Sequence, residues 1–268
     1  ELYTPGSVID CYLADFNGDG DLDIVASTSS EVRWLRGNGN GSFGTPRLVS
    51  DEHATTTSVH AEDLDGDGDL DIIVAAQFSD RLAWHENLGN ETFSAYREIE
   101  TLYDSPASVT TADLDGDNLP DIICANYEEE EYTGAGLVWY RNLGGGNFAL
   151  VDTLMNYGKH IFVHAVDMDL DGDMDLVSCH GLSEMDWLEN DGTGNFGAPI
   201  ELERFAAYLR SVDTPDLNND GFPDILYAIR SFSPTKQNLL WRPSLGAGQH
   251  APPALVTMGG YNLSAPQV

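Results

Sequence analysis

The chain has 268 residues with 45 acidic against 12 basic side chains, a formal net charge of -33, and 41% apolar residues. That is enough for a sizeable core, and 10% aromatics with five Trp exceed what disordered acidic chains carry. The charge excludes nucleic acid and anionic membranes as default partners, since both demand a basic patch. No apolar run approaches the roughly 18 residues that span a bilayer, so direct membrane insertion is not expected. The chain opens on Glu1 with no signal-like apolar region behind it, which reads as a mature or excised soluble chain. Cys11, Cys124 and Cys179 form no CxxC pair and decide little about redox compartment.

One nine-residue acidic segment recurs five times, at 15–23, 63–71, 113–121, 167–175 and 216–224, with starts 48, 50, 54 and 49 residues apart. In chain order the segments are followed by the apolar runs Ile24-Val25, Ile72-Ile73-Val74, Ile122-Ile123, Leu176-Val177 and Ile225-Leu226. Then come Trp34, Trp84, Trp139, Trp187 and Trp241, which exhaust the tryptophans. A glycine-rich turn and usually a Phe follow each Trp, as in W-Y-R-N-L-G-G-G-N-F ending at Phe148. Each unit therefore predicts four short strands: a leading one such as Ser58-Val59-His60-Ala61, one after the acidic loop, one centred on the Trp, and one after the Gly turn. The last of these falls near Ala254-Leu255-Val256. No segment sustains a helical period. Five repeats of about 50 residues predict an all-β fold, a single β-propeller domain over 1–268 that is five-bladed or part of a larger propeller, with the tryptophans packed between blades.

Within the segments, positions 1, 3, 5 and 9 are Asp or Asn in every copy, whereas position 7 is Asp21, Asp69, Leu119, Asp173 or Phe222. Position 7 can therefore contribute only its backbone carbonyl throughout. A hard cation takes six to eight oxygens from carboxylates, amides, carbonyls and water, so calcium is the expected occupant, about five ions in all. The side-chain ligands would be Asp15, Asn17, Asp19 and Asp23; Asp63, Asp65, Asp67 and Asp71; Asp113, Asp115, Asp117 and Asp121; Asp167, Asp169, Asp171 and Asp175; and Asp216, Asn218, Asp220 and Asp224. Position 6 is Gly20, Gly68, Asn118, Gly172 or Gly221, the residues that most readily take positive φ. Positions 2 and 8 are apolar or proline, which reads as a pair of anchors pinning the loop to its blade. An EF-hand would need Glu at position 12, where this chain has Ala26, Val74, Cys124, Ser178 or Tyr227. Empty, the clustered carboxylates would repel.

The D-x-[DN]-x-D-G-x-x-D loop, the Ile/Val strand after it and the W-x-x-N-x-G-x-G-x-F turn resemble FG-GAP/VCBS repeats across nearly the whole chain. That family is similar to the calcium-bearing blades of integrin α-subunit propellers and of some propeller lectins. The resemblance implies that Asp15, Asn17, Asp19 and Asp23 hold the first ion together with the carbonyl of Asp21, and that equivalent positions hold the others. The third loop departs with Asn118 and Leu119, and the fifth unit with His250 in place of Phe.

Asn40, Asn90 and Asn262 sit in N-G-S, N-E-T and N-L-S, glycosylation acceptors in a eukaryotic secreted chain. Glu128 to Glu131 read as a solvated acidic loop. His60 and His164, each three residues before an acidic loop, and His160 and His180 lack any metal-site spacing. No nucleophile elbow, phosphate loop or dinucleotide fingerprint occurs. These features predict a non-catalytic, extracellular binding or adhesion module for a protein or glycan ligand. The competing readings are a structural subunit that self-assembles into an extracellular filament or sheath, and an accessory domain of a polysaccharide-active enzyme.

Overall fold

A computed structural model describes residues 7–52, 56–99, 105–127, 136–156, 159–181, 184–204, 207–231, 237–246 and 248–256. Glu128 to Glu131 and Asn262 lie outside the described residues. The fold is all-β, with five four-stranded antiparallel sheets that are the blades of a five-bladed β-propeller. Blade 1 runs β1 (Val8–Ala14), β2 (Asp23–Thr28), β3 (Val32–Leu35) and β4 (Arg47–Ser50). Blade 2 runs β5 (Thr56–Glu62), β6 (Asp71–Ala76), β7 (Arg81–His85) and β8 (Arg97–Ile99). Blade 3 runs β9 (Pro106–Ala112), β10 (Asp121–Asn126), β11 (Leu137–Asn142) and β12 (Phe148–Met155). Blade 4 is β13 (His160–Val166), β14 (Asp175–His180), β15 (Glu184–Leu188) and β16 (Ile200–Arg204). In blade 5, β17 (Ala207–Asp213), β18 (Ile225–Ser231) and β19 (Gln237–Arg242) are followed by a small hairpin, β20 (Ser244–Gly246) with β21 (Gln249–His250). The outer strand β22 (Ala254–Val256) completes it. Strand order follows chain order in every blade.

The chain divides into two compact units, Glu1–Asp113 with Asn118–Ile161, and Leu114–Asp117 with Phe162–Val268. In both, every acidic segment joins the first strand of its blade to the second. Strands β6, β10 and β14 are buried at every residue, which explains why they read as continuous apolar runs rather than alternating ones. A sheet covered on both faces has no solvent side to pay in polar residues.

Trp34 and Trp84 pack between successive sheets, as their spacing predicts. In the first unit Trp34 lies in a core with Phe16, Val25, Val59, Ile72 and Val74. Its ring meets Phe93, from the hairpin of blade 2, edge-on at 6.2 Å. Trp84 repeats the arrangement one blade on, in a core with Leu64, Ile73, Ile122 and Tyr140 and edge-on to Phe148 at 6.4 Å. In these two cases the Phe after the Gly turn covers the Trp of the blade before it. Its position is fixed by a pairing three residues after the local Trp: Gly37 with Phe43, Asn87 with Phe93, Asn142 with Phe148, Asn190 with Phe196. In blade 5 the same register pairs Ser244 with His250.

One sequence expectation holds unevenly. Positions 2 and 8 of the acidic loops do not anchor equally in every copy. Position 2 is buried in the first four loops (Phe16, Leu64, Leu114 and Met168), whereas Leu22 at position 8 is 61% exposed. Phe16 projects into the space between blades, against Phe93 at 6.2 Å, whereas Leu22 stays in solvent; at the other position 8 sites Leu70 packs partly buried against the same core and Pro223 is buried. Leu217, at position 2 of the last loop, is 44% exposed.

Candidate metal centres in the acidic loops

Each loop is folded around its own carboxylates. The position 1 aspartate accepts hydrogen bonds from the backbone N–H groups of positions 5 and 6. Asp15 takes Asp19 N at 3.1 Å and Gly20 N at 2.7 Å; Asp167 takes Asp171 N and Gly172 N, both at 3.1 Å; Asp216 takes Asp220 N at 3.1 Å and Gly221 N at 2.9 Å. Asp63 does the same with Asp67 and Gly68, and Asp113 accepts from Asn118 N at 2.8 Å. Position 3 accepts from position 5 and position 5 from position 7, as in Asn17 to Asp19 N (3.0 Å) and Asp19 to Asp21 N (3.0 Å). These side-chain-to-backbone bonds curl the turn so that positions 1, 3 and 5 converge.

The curl needs positive φ at position 6, as the sequence implies, and Asn118 supplies it with φ 64. It also needs positive φ at position 4, which sequence reasoning missed. Gly18, Gly66 and Gly116 meet it freely, but the fourth loop places Leu170 there with φ 64. The signal was present: position 4 is Gly in three of five copies.

Carboxylate oxygens gather accordingly. One oxygen each from Asp63, Asp65 and Asp71 lies within 4.8 Å of the others, as do sets from Asp65, Asp67 and Glu86 and from Asp167, Asp169 and Asp171. Oxygens on one calcium at about 2.3–2.6 Å are at most about 5 Å apart, so the spacing and the all-oxygen donor set fit a hard divalent ion. In the first and last loops an amide, Asn17 or Asn218, stands at position 3. The Leu114–Asp117 stretch of the third loop groups with the second unit.

Position 9, expected as a ligand, has a further task. Asp23 is fully buried; its Oδ2 accepts from Phe16 N at 3.2 Å and from Trp34 Nε1 at 3.1 Å, and its Oδ1 accepts from Gly37 N at 2.7 Å. Asp121 accepts from Trp139 Nε1 (2.9 Å) and Asn142 N (2.8 Å). Asp71, Asp175 and Asp224 each accept from position 2 of their loop and from the third residue after their Trp. This residue therefore ties the loop to the tryptophan strand. Burial pushes the Asp71 carboxyl up to about 7, against the pull of the Asn87 and Leu64 N–H groups, and Asp175 up to about 6 for the same first cause. A divalent cation beside Asp71 would favour its ionised form.

The asparagine three residues after the Trp forms a second tie that the sequence did not announce. Asn87 Nδ2 donates to Phe16 O in the preceding blade (2.8 Å) and to Leu70 O in its own (3.1 Å). Asn142 spans Leu64 O and Pro120 O, and Asn190 spans Leu114 O and Met174 O. Each clasp joins the acidic loops of two successive blades through their carbonyls.

In the first unit a polar cleft of about 400 Å³ opens beside the first loop, lined by Asn17, Asp19, Arg36, Asp69, Asn90 and Glu91 among others. Arg36 bridges Asp19 (2.7 Å) and Glu91 (3.0 Å) across it. Hydrogen bonds from the Asp21 backbone and from Arg36 hold the Asp19 carboxyl below the usual carboxylate range. The buried Asn17 Nδ2 faces no hydrogen-bond partner. Asn40 and Asn90 are exposed at the tips of the β3–β4 and β7–β8 hairpins, where their spacing from Trp put them. Among the described residues Cys11, Cys124 and Cys179 are all free thiols.

The blades and their oxygen-lined turns define a repeat β-propeller with an acidic loop in every blade. A family profile described as FG-GAP-like repeat matches residues 15–74, 63–124, 113–178 and 167–227, and the chain belongs to that family. Among solved structures, it is similar to an Agrocybe aegerita lectin described as recognising non-reducing terminal N-acetylglucosamine. The TM-score is 0.62 at 22% identity, covering 91% of this chain and 65% of the lectin. It is also similar to part of the Photorhabdus luminescens Tc holotoxin pore, with a TM-score of 0.50, 18% identity, and coverage of 94% of this chain and 12% of that one. The chain thus spans less than two thirds of either structure's length. No curated protein matches its sequence.

Proposed function

We propose that this chain is a non-catalytic, calcium-stabilised binding module that works outside the cell and takes a glycan ligand. The observation that carries the calcium reading is the convergence of carboxylates on prefolded turns, present in loop after loop. Asp or Asn at positions 1, 3, 5 and 9 and the position 7 carbonyl would hold the ion, which supplies the positive charge that offsets the acid cluster. Extracellular modules bind calcium at roughly 10⁻⁴ to 10⁻³ M. At about millimolar calcium each loop then contributes on the order of 0.4 to 1.4 kcal/mol by mass action, and at cytosolic calcium nearly nothing. That contrast supports an extracellular site of action. Scanning calorimetry with and without chelator is the test: the melting temperature should fall on chelation and recover with added calcium. An unchanged melting temperature would refute the reading.

Two observations support the glycan. The fold is similar to that of a lectin described as recognising a terminal sugar, and the cleft beside the first loop offers the carboxylates of Asp69 and Glu91 and the Arg36 guanidinium to ligand hydroxyls. Titration calorimetry against N-acetylglucosamine-terminated oligosaccharides, followed by a wider glycan array, should give saturable binding that Glu91→Gln weakens. Absence of binding to any glycan would leave a protein ligand as the reading to pursue. In a eukaryotic host, Asn40 and Asn90 are proposed to carry glycans themselves. Intact-mass measurement showing bare asparagines would dismiss that.

A further inference from the structure

We infer that the residue two positions after the tryptophan sets the cation affinity of its blade's acidic loop, with opposite sign in blades 1 and 2. Glu86 adds a carboxylate to the second loop and strengthens it, whereas Arg36 occupies a carboxylate of the first loop and weakens it. The inference rests on the calcium reading of the loops and concerns which of them fills first.

The two residues are structural equivalents. Arg36 follows Trp34 and precedes Gly37 of the Gly37–Phe43 pair; Glu86 follows Trp84 and precedes Asn87 of the Asn87–Phe93 pair. From that place a long side chain reaches its own loop. The Glu86 carboxylate lies within 4.8 Å of ligand oxygens of both Asp65 and Asp67, the position 3 and 5 residues. Arg36 reaches position 5 of the first loop, its Nε and Nη2 both donating to Asp19 Oδ2 at 3.1 and 2.7 Å.

Neither side chain is loosely placed. Glu86, with 19% side-chain exposure, is also paired with Arg97, whose guanidinium stacks over Trp84 at 4.9 Å. The matching arginine of blade 1, Arg47, stacks over Trp34 at 5.1 Å, but it pairs with Glu91 instead. Glu91 holds Arg36 as well, at 3.0 Å. Where blade 2 has an acid beside its loop, blade 1 thus has a base, which also pairs with a glutamate from the next hairpin while keeping its Nε and Nη2 on Asp19.

The consequence for an entering ion is electrostatic. The second loop offers aspartate at all five odd positions plus Glu86; the first offers four aspartates, Asn17 and a guanidinium already bonded to Asp19. Ligand charge count is the main lever on calcium affinity in oxygen sites. A unit charge about 5 Å from a divalent ion, even in water-like dielectric, changes affinity roughly tenfold. With Glu86 favouring the second loop and Arg36 disfavouring the first, the second should fill at about a hundredfold lower calcium.

The test is hydrogen–deuterium exchange of the full chain across a calcium titration, which reads the amides of 15–23 and 63–71 separately. In the unmodified chain, protection of 63–71 should have its midpoint at about a hundredfold lower calcium than that of 15–23, one factor of about ten from each of the two side chains. Glu86→Gln should raise the 63–71 midpoint about tenfold and leave 15–23 in place. Arg36→Gln should lower the 15–23 midpoint about tenfold and leave 63–71 in place, and it serves alone if Glu86→Gln does not fold. Midpoints that calcium sets but neither substitution moves would overturn the inference and leave the calcium reading standing. Loops that gain no protection at millimolar calcium would overturn both.

Discussion

Replacing Asn142 by alanine should loosen the joint between the second and third blades. Asn142 is 1% exposed, and its side chain makes three hydrogen bonds: Nδ2 to Leu64 O at 2.9 Å, Nδ2 to Pro120 O at 3.0 Å, and Oδ1 from Gly144 N at 2.8 Å. Alanine removes all three at once. Each buried group left without a partner costs about 1–3 kcal/mol, but carbonyls tolerate partial satisfaction and the losses overlap, so about 3 kcal/mol is expected. Unfolding entropy of about 2.1 cal/mol/K per residue over a chain of this length converts that to a fall of about 5 °C in melting temperature. The assay is scanning calorimetry at fixed saturating calcium. Asn147→Ala is the control, because that exposed side chain bonds only to Gly144 O and Gly145 O within its own hairpin and should cost under about 0.5 kcal/mol. If Asn142→Ala melts within 1 °C or so of the unmodified chain, or if the control falls as far, the clasp does not hold the blades together.

Leu170→Gly should stabilise the fourth loop by about 0.5–1 kcal/mol, since strain of roughly 1–2 kcal/mol at φ 64 outweighs the extra unfolded-state freedom of glycine; a lower urea midpoint would contradict this. Gly146→Val places a Cβ 2.5 Å from Trp84 Cζ2 and should cost about 3 kcal/mol with altered tryptophan fluorescence. Gly145→Ala, whose nearest neighbour is Asn147 Nδ2 at 3.7 Å, should leave that fluorescence unchanged; equal spectral effects would undo the close-approach argument.

Local chemistry made much of this protein legible in its sequence. The acidic turns, their glycines and the tryptophan register repeat at fixed offsets, so the repeat count, the strands per repeat and the loop positions follow from hydrogen-bonding and φ requirements that act within one repeat, whereas the size of the ring does not. What the sequence leaves open are choices made between repeats. Positions 2 and 8 of a loop look alike as apolar residues, and only packing against the next blade buries Phe16 while leaving Leu22 in solvent. Asn87, Asn142 and Asn190 read as turn residues until a second blade supplies the carbonyls of Phe16, Leu64 and Leu114. Asp23 and its counterparts read only as ligands until burial shows them also tying loop to tryptophan strand. Arg36 and Glu86 differ by a charge whose meaning depends on the loop beneath them, more than a dozen residues back along the chain. Periodicity records what each repeat needs for itself; the tertiary structure decides what each repeat does for its neighbour.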